Sequence, residues 1–130
     1  MTILKFHQDG TTPDDQWVFV FGSNLVGRHG AGAAKVARNK FGALYKVGAG
    51  KTGNAYAIPT KDANLCVLPL RTISEGVWCF LEHARFRSKT QFFVTRIGCG
   101  LAGYDDAQIA PMFKGCPTNC SMPSNWKSFL

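Results

Sequence analysis

Arg96-Ile97-Gly98-Cys99-Gly100-Leu101-Ala102-Gly103-Tyr104 follows the apolar run Phe92-Phe93-Val94 and places three glycines within six residues. A buried strand that ends in a glycine loop and feeds a helix is how α/β domains turn backbone N–H groups toward phosphates. An earlier stretch repeats that logic. Phe19-Val20-Phe21-Gly22-Ser23 leads to Gly30-Ala31-Gly32-Ala33-Ala34-Lys35. Two glycine loops behind two strands predict a site for a ligand that contains a diphosphate.

Working outward, Trp17 to Phe21 is continuously apolar, β-branched and aromatic, which predicts a strand buried on both faces. From Gly30 to Phe41 the pattern turns helical: Ala33, Val36, Ala37 and Phe41 share one face, and Gly42 stops the helix. Val47 to Asn54 is glycine-rich and predicts a loop. Tyr56-Ala57-Ile58 predicts a short strand ended by Pro59. Leu70, Ile73, Val77, Phe80, Leu81 and Ala84 recur at helical spacing, so Pro69 to about Arg87 forms the longest helix. Gln91 to Ile97 is the next buried strand, and Asp105 to Phe113 a short helix. Ile3 to Phe6 predicts a first strand. The alternation predicts a mainly parallel or mixed sheet covered on both faces, with ligands beyond the carboxyl ends of the strands.

The chain has 130 residues, 45% of them hydrophobic and 18% charged, which fits one globular domain over 1–130. Its core is expected over about residues 3–113, with 114–130 an irregular tail rich in Cys, Pro, Ser and Asn. The formal net charge is +7, which favours anionic partners. The basic residues are scattered and form no stripe interleaved with aromatics, so a nucleic-acid-binding role is not favoured. No secretory leader or membrane-spanning run is read at the N-terminus or elsewhere, so no membrane partner is expected. Five cysteines, mostly in apolar runs, suit reduced thiols and a cytoplasmic protein. Cys116 and Cys120 lack a second pair to complete a zinc site, so no metal is expected.

Taken in order, Asp9, Gly30-Ala31-Gly32-Ala33-Ala34-Lys35, Ile58-Pro59-Thr60-Lys61 and Arg96-Ile97-Gly98-Cys99-Gly100-Leu101 resemble a macrodomain. They are most similar to the branch that contains the terminal ADP-ribose protein glycohydrolase, which also carries a string like Lys40-Phe41-Gly42. The similarity covers about Ile3 to Phe113. It implies a three-layer α/β/α fold with a mixed, largely parallel sheet, which binds ADP-ribose without a further cofactor. In that resemblance Asp9 accepts a hydrogen bond from the adenine amine, although the same residue also fits a turn cap before Gly10. Gly30, Ala31 and Gly32 approach the diphosphate from one side, and Gly98, Cys99, Gly100 and Leu101 close on it from the other. Cys99 also fits a small apolar filler. Asn24 stands where the branch has a serine facing the distal ribose, and Tyr104 is the stacking candidate. His29 is placed to contact a phosphate or to sit exposed in its loop.

Lys61 matches the lysine that attacks the anomeric carbon in the glycohydrolase. That enzyme keeps an Asp after its Gly-Cys-Gly-Leu, where this chain has Ala102. Asp105 and Asp106 come next in sequence, and helix capping is their expected role. Two functions follow: hydrolysis of ADP-ribosyl groups from a protein, nucleic acid or metabolite, with Lys61 and an Asn24-positioned water as catalytic groups, or non-catalytic binding of a nucleotide signal. The partner in either case is an ADP-ribose-type molecule or an ADP-ribosylated macromolecule.

Overall fold

Val18 and Val20 project from one side of their strand, Phe19 and Phe21 from the other, and all four are buried. Such a strand needs a cover on each face. The computed structural model, which describes residues 4–130, supplies both. Strands β1 (Lys5–His7), β2 (Val18–Asn24), β3 (Gly50–Thr52), β4 (Ala55–Lys61), β5 (Phe92–Val94) and β6 (Cys120–Pro123) form one sheet in the order β1-β6-β5-β2-β4-β3. All neighbouring pairs are parallel except β3 with β4, an antiparallel edge. Ile3, the expected start of β1, lies outside the described residues.

Helix α1 (Gly32–Lys40) covers one face, where Ala34, Ala37 and Phe41 pack on Phe19, Phe21 and Phe93. Phe19 stacks on Phe41 with ring centroids 4.6 Å apart. Helix α2 (Leu70–Arg85) covers the other with Ile73, Val77, Phe80, Leu81 and Ala84, against Val18, Val20, Tyr56, Ile58 and Phe92. The short helix α3 (Asp106–Ile109) lies on the α2 side and tightens into a 3₁₀ turn over Ala110–Phe113. Pro111 has no N–H to continue an α-helical ladder, so the expected single helix over Asp105 to Phe113 divides there.

Three expectations are corrected. Strand β4 runs through Pro59 to Lys61, because Ser23 pairs with Pro59 and the register with β2 shifts just beyond, where one ladder donor is lost. The glycine-rich segment expected as a loop contributes β3. The tail is not irregular: β6 inserts between β1 and β5 with all four residues buried, and Trp126 is fully buried 5.1 Å from the Phe113 ring. The core therefore extends past residue 113.

Asn119 shows how the tail also secures local structure. Its Nδ2 donates to the carbonyls of Ala84, Arg87 and Thr90, each at 3.0 Å, and so closes the connection from α2 to β5. Asn119→Ala removes the side-chain donor from the Thr90 carbonyl and leaves Ala84 and Arg87 only their backbone N–H partners, which lowers unfolding stability by about 1–3 kcal/mol. Urea denaturation measures this, and an unchanged midpoint would show that the connection is held by other contacts.

Candidate functional site

Because β1, β6, β5, β2 and β4 all point the same way, their carboxyl ends share one edge of the sheet. A cleft of about 550 Å³ opens there, lined by Asp9, Asn24, Gly30, Ala31, Gly32, Lys61, Gly98, Gly100 and Leu101 among others. Its volume lies within the range of small-molecule sites.

The first wall is the loop after β2. Ser23 Oγ donates to the Gly48 carbonyl, and a Cβ on Gly48 would collide with the Asn24 carbonyl oxygen. Only glycine permits that approach. Asn24 uses both ends of its amide on Arg28: Nδ2 donates to the Arg28 carbonyl and Oδ1 accepts from the Arg28 N–H, each at 2.9 Å. Asn24 is therefore a staple of this loop as well as a lining residue.

The loop delivers the chain to α1. Ala31 at the N-cap position is extended (φ −153°), no side chain caps the helix, and its first turn holds no acidic residue. Its leading N–H groups and the positive end of its dipole therefore meet the cleft without a competing carboxylate. Gly32 has φ +57°, in the left-handed region that a side chain strains, whereas a Cβ on Gly30 or Gly100 would meet nothing within 4 Å.

The opposite wall is Thr95 to Ala102. Leu101, 72% exposed, reaches across so that its Cδ1 lies 3.6 Å from the position of a Cβ on Gly32. At one end Asp9 Oδ2 accepts from Arg96 Nη1 at 3.2 Å. At the other, Lys61 closes β4 and bridges to Val67. Its neighbour Asp62 is engaged in its own turn, accepting from the Asn64 and Cys66 N–H groups at 2.8 and 2.9 Å.

Two expected contributors do not line the cleft. Cys99 packs half-buried against the α2-side core, and burial, then the Asp106 carboxylate, push its thiol up to about 12. It stays protonated at neutral pH and is a poor nucleophile. Tyr104 packs against the same core, and its hydroxyl donates to the Leu68 carbonyl at 2.6 Å, so its ring is not presented for stacking. His29 is likewise turned inward. It is 1% exposed, with ring centroids 5.3 Å from Phe21 and 6.3 Å from Tyr45, and neither ring nitrogen has a protein hydrogen-bond partner.

Several lining residues were not singled out in the sequence. Thr60 is the penultimate residue of β4 and Thr95 follows β5; Thr60 Oγ1 donates to the Ser23 carbonyl at 3.2 Å and Thr95 Oγ1 to the Val20 carbonyl at 2.8 Å. A hydroxyl directly after a buried run was their available signal. Arg96 was quoted only as part of its string. Its guanidinium grips Asp106 through Nε and Nη2, both at 2.9 Å, while Trp126 Nε1 donates to Asp106 Oδ1 at 2.7 Å. Burial works to raise the Asp106 carboxyl, but hydrogen bonds from Arg96 and Trp126 outweigh it and hold the group below the usual carboxylate range. Asp105 opens α3, its N–H donating to Gln108 Oε1 at 2.9 Å.

No protein-family model and no curated protein sequence matches the chain. Solved structures that resemble it in fold include two from bacteria. Thermosipho africanus DarTG in complex with ADP-ribose has a TM-score of 0.61 and 16% identity over 83% of this chain, which spans 38% of the DarTG chain. A crystal structure of a protein from Bacteroides thetaiotaomicron has a TM-score of 0.53 and 19% identity, covering 93% of this chain and 98% of that one. The fold is a three-layer α/β/α arrangement with a mixed, mostly parallel sheet, and these structures share it. Among the described residues no helix is long and apolar enough to cross a membrane.

The histidines give the fold a pH dependence with a definite sign. His7, His29 and His83 are all lowered from their ordinary value, burial being the largest cause in each. Below about pH 6.5 the unfolded chain takes up protons that the folded chain refuses. Stability is therefore full at neutral pH and falls on acidification. The melting temperature should drop between about pH 7.5 and pH 5.5, and His29→Phe should shallow that slope. A flat profile in the parent protein would contradict this account.

Proposed function

We propose that the cleft binds ADP-ribose, free or attached to a macromolecule, and that the chain belongs to the glycohydrolase-like branch of the macrodomains. One observation carries the binding reading. The uncapped N-terminus of α1 and the Arg96–Ala102 loop face each other across the carboxyl ends of parallel strands, in a cleft of about 550 Å³. Backbone N–H groups at such a helix start suit a diphosphate. The strand order supports the polarity of the ligand. Asp9 follows β1 at one edge of the sheet and Lys61 ends β4 toward the other, so adenine would lie at Asp9 and the distal ribose at Lys61. The ADP-ribose complex of the DarTG structure supports this ligand class. Cysteines that serve as buried apolar side chains, Cys116 and Cys120 among them, fit a cytoplasmic setting.

Binding without turnover is the favoured form. Attack by an amine on the anomeric carbon forms a C–N bond and expels a leaving group that needs a proton. Ala102 supplies none. Asp106 is committed to Arg96 and Trp126, and Asp105 opens α3. Lys61 carries the enzyme reading, because it is the one lysine among the described lining residues.

Titration calorimetry with ADP-ribose tests the site. Gly30→Glu and Gly100→Glu place a carboxylate in open cleft without a positive-φ penalty, and each lowers affinity by about 100-fold, equivalent to about 2.8 kcal/mol. Affinity unchanged in both variants would remove the diphosphate from this cleft. Incubation with ADP-ribosylated protein and DNA then tests turnover, with no release expected. Release abolished by Lys61→Ala would establish the enzyme reading instead.

A further inference from the structure

We infer that Arg96 is a positioning residue for nucleobase recognition: it presents Asp9 to the ligand through a relay anchored at Trp126 in the core. The inference rests on the proposal that the cleft takes ADP-ribose.

Asp9 sits in the turn after β1, and its side chain is 43% exposed. A carboxylate so placed would rotate freely on its own. Arg96 removes that freedom by donating from Nη1 to Asp9 Oδ2 at 3.2 Å. Arg96 is itself held in a two-point fork by Asp106, and forked guanidinium–carboxylate pairs fix orientation as well as charge. Asp106 is held in turn by the indole N–H of Trp126, which is fully buried. An unbroken line of hydrogen bonds therefore runs from the core to the edge of the cleft.

The relay leaves one atom of Asp9 uncommitted. Among the described residues, no protein donor reaches Oδ1. A carboxylate oxygen facing the cleft offers an acceptor and no donor. A held carboxylate oxygen accepts from an exocyclic amine and repels a carbonyl at the same position. The relay should therefore set the preference for an amine-bearing purine over its carbonyl counterpart. Lysine at position 96 keeps the charge but loses the fork, so it cannot hold Asp9 and Asp106 together.

Calorimetry on the full chain with three probes separates this role from a merely structural one: ADP-ribose, its hypoxanthine counterpart, and base-free ribose 5-diphosphate. In the parent chain ADP-ribose is expected to bind more tightly than the hypoxanthine compound. Arg96→Lys should cut that preference about tenfold, weakening ADP-ribose more than either the hypoxanthine compound or ribose 5-diphosphate. Trp126→Phe keeps an aromatic ring in the core and deletes the indole donor along with part of the ring volume; it should cut the preference about threefold, and it decides the matter if Arg96→Lys does not fold. A preference unaltered in the folded variants, or an equal loss for all three probes, would overturn the inference. So would a parent chain that binds ADP-ribose without preferring it over the hypoxanthine compound. A parent chain that binds none of the three overturns the ADP-ribose reading itself, and the relay's role falls with it.

Discussion

Strand β2 has to be buried on both faces, and much of the architecture answers that demand. Val18 and Val20 call for the α2 layer, and Phe19 and Phe21 for the α1 layer. A strand covered by helices on both sides sits most readily in a parallel sheet, whose connections cross over the faces. Parallel neighbours then send their carboxyl-end loops to one edge. The cleft is thus a consequence of how β2 is buried, and the glycines decide only what that edge can hold.

What it can hold follows from charges that are missing as much as from those present. Helix α1 begins without an acidic residue or a side-chain cap and carries two of its three basic residues, Arg38 and Lys40, in the last turn. That arrangement does nothing to neutralise the positive end of the dipole, so the cleft is left for an anion. The acids nearby are tied down. Arg96 stands between Asp9 and Asp106, and hydrogen bonding to Asp106, the largest influence on it, raises its own pKa. The cleft wall is consequently rigid where it meets the core and open where N–H groups are wanted.

Local features of the sequence were sufficient for much of this. The apolar run of β2, the helical period of α2 and the two glycine loops each declare themselves within about ten residues, and the structure places both loops on the cleft. Non-local partners explain what was not legible. Cys120–Pro123 is too short and too close to prolines to announce a strand, and it becomes one because β1 and β5 flank it. Tyr104 turns away from the cleft for a carbonyl at Leu68, and Asn24 is drawn into its own loop by Arg28. Arg96 lay within the quoted string, but its meaning depends on Asp9, 87 positions earlier.

These same contacts bear on chemistry as well as on shape. A group that is to shuttle a proton must be able to exist in both protonation states near neutral pH. Hydrogen bonds to Arg96 and Trp126 keep Asp106 ionised, while burial and the Asp106 charge keep the Cys99 thiol protonated. Two titratable side chains on the core side of this loop, Cys99 and Asp106, are thus locked in opposite states. The constraint that makes the Arg96 loop firm therefore also withholds both side chains from proton transfer near neutral pH.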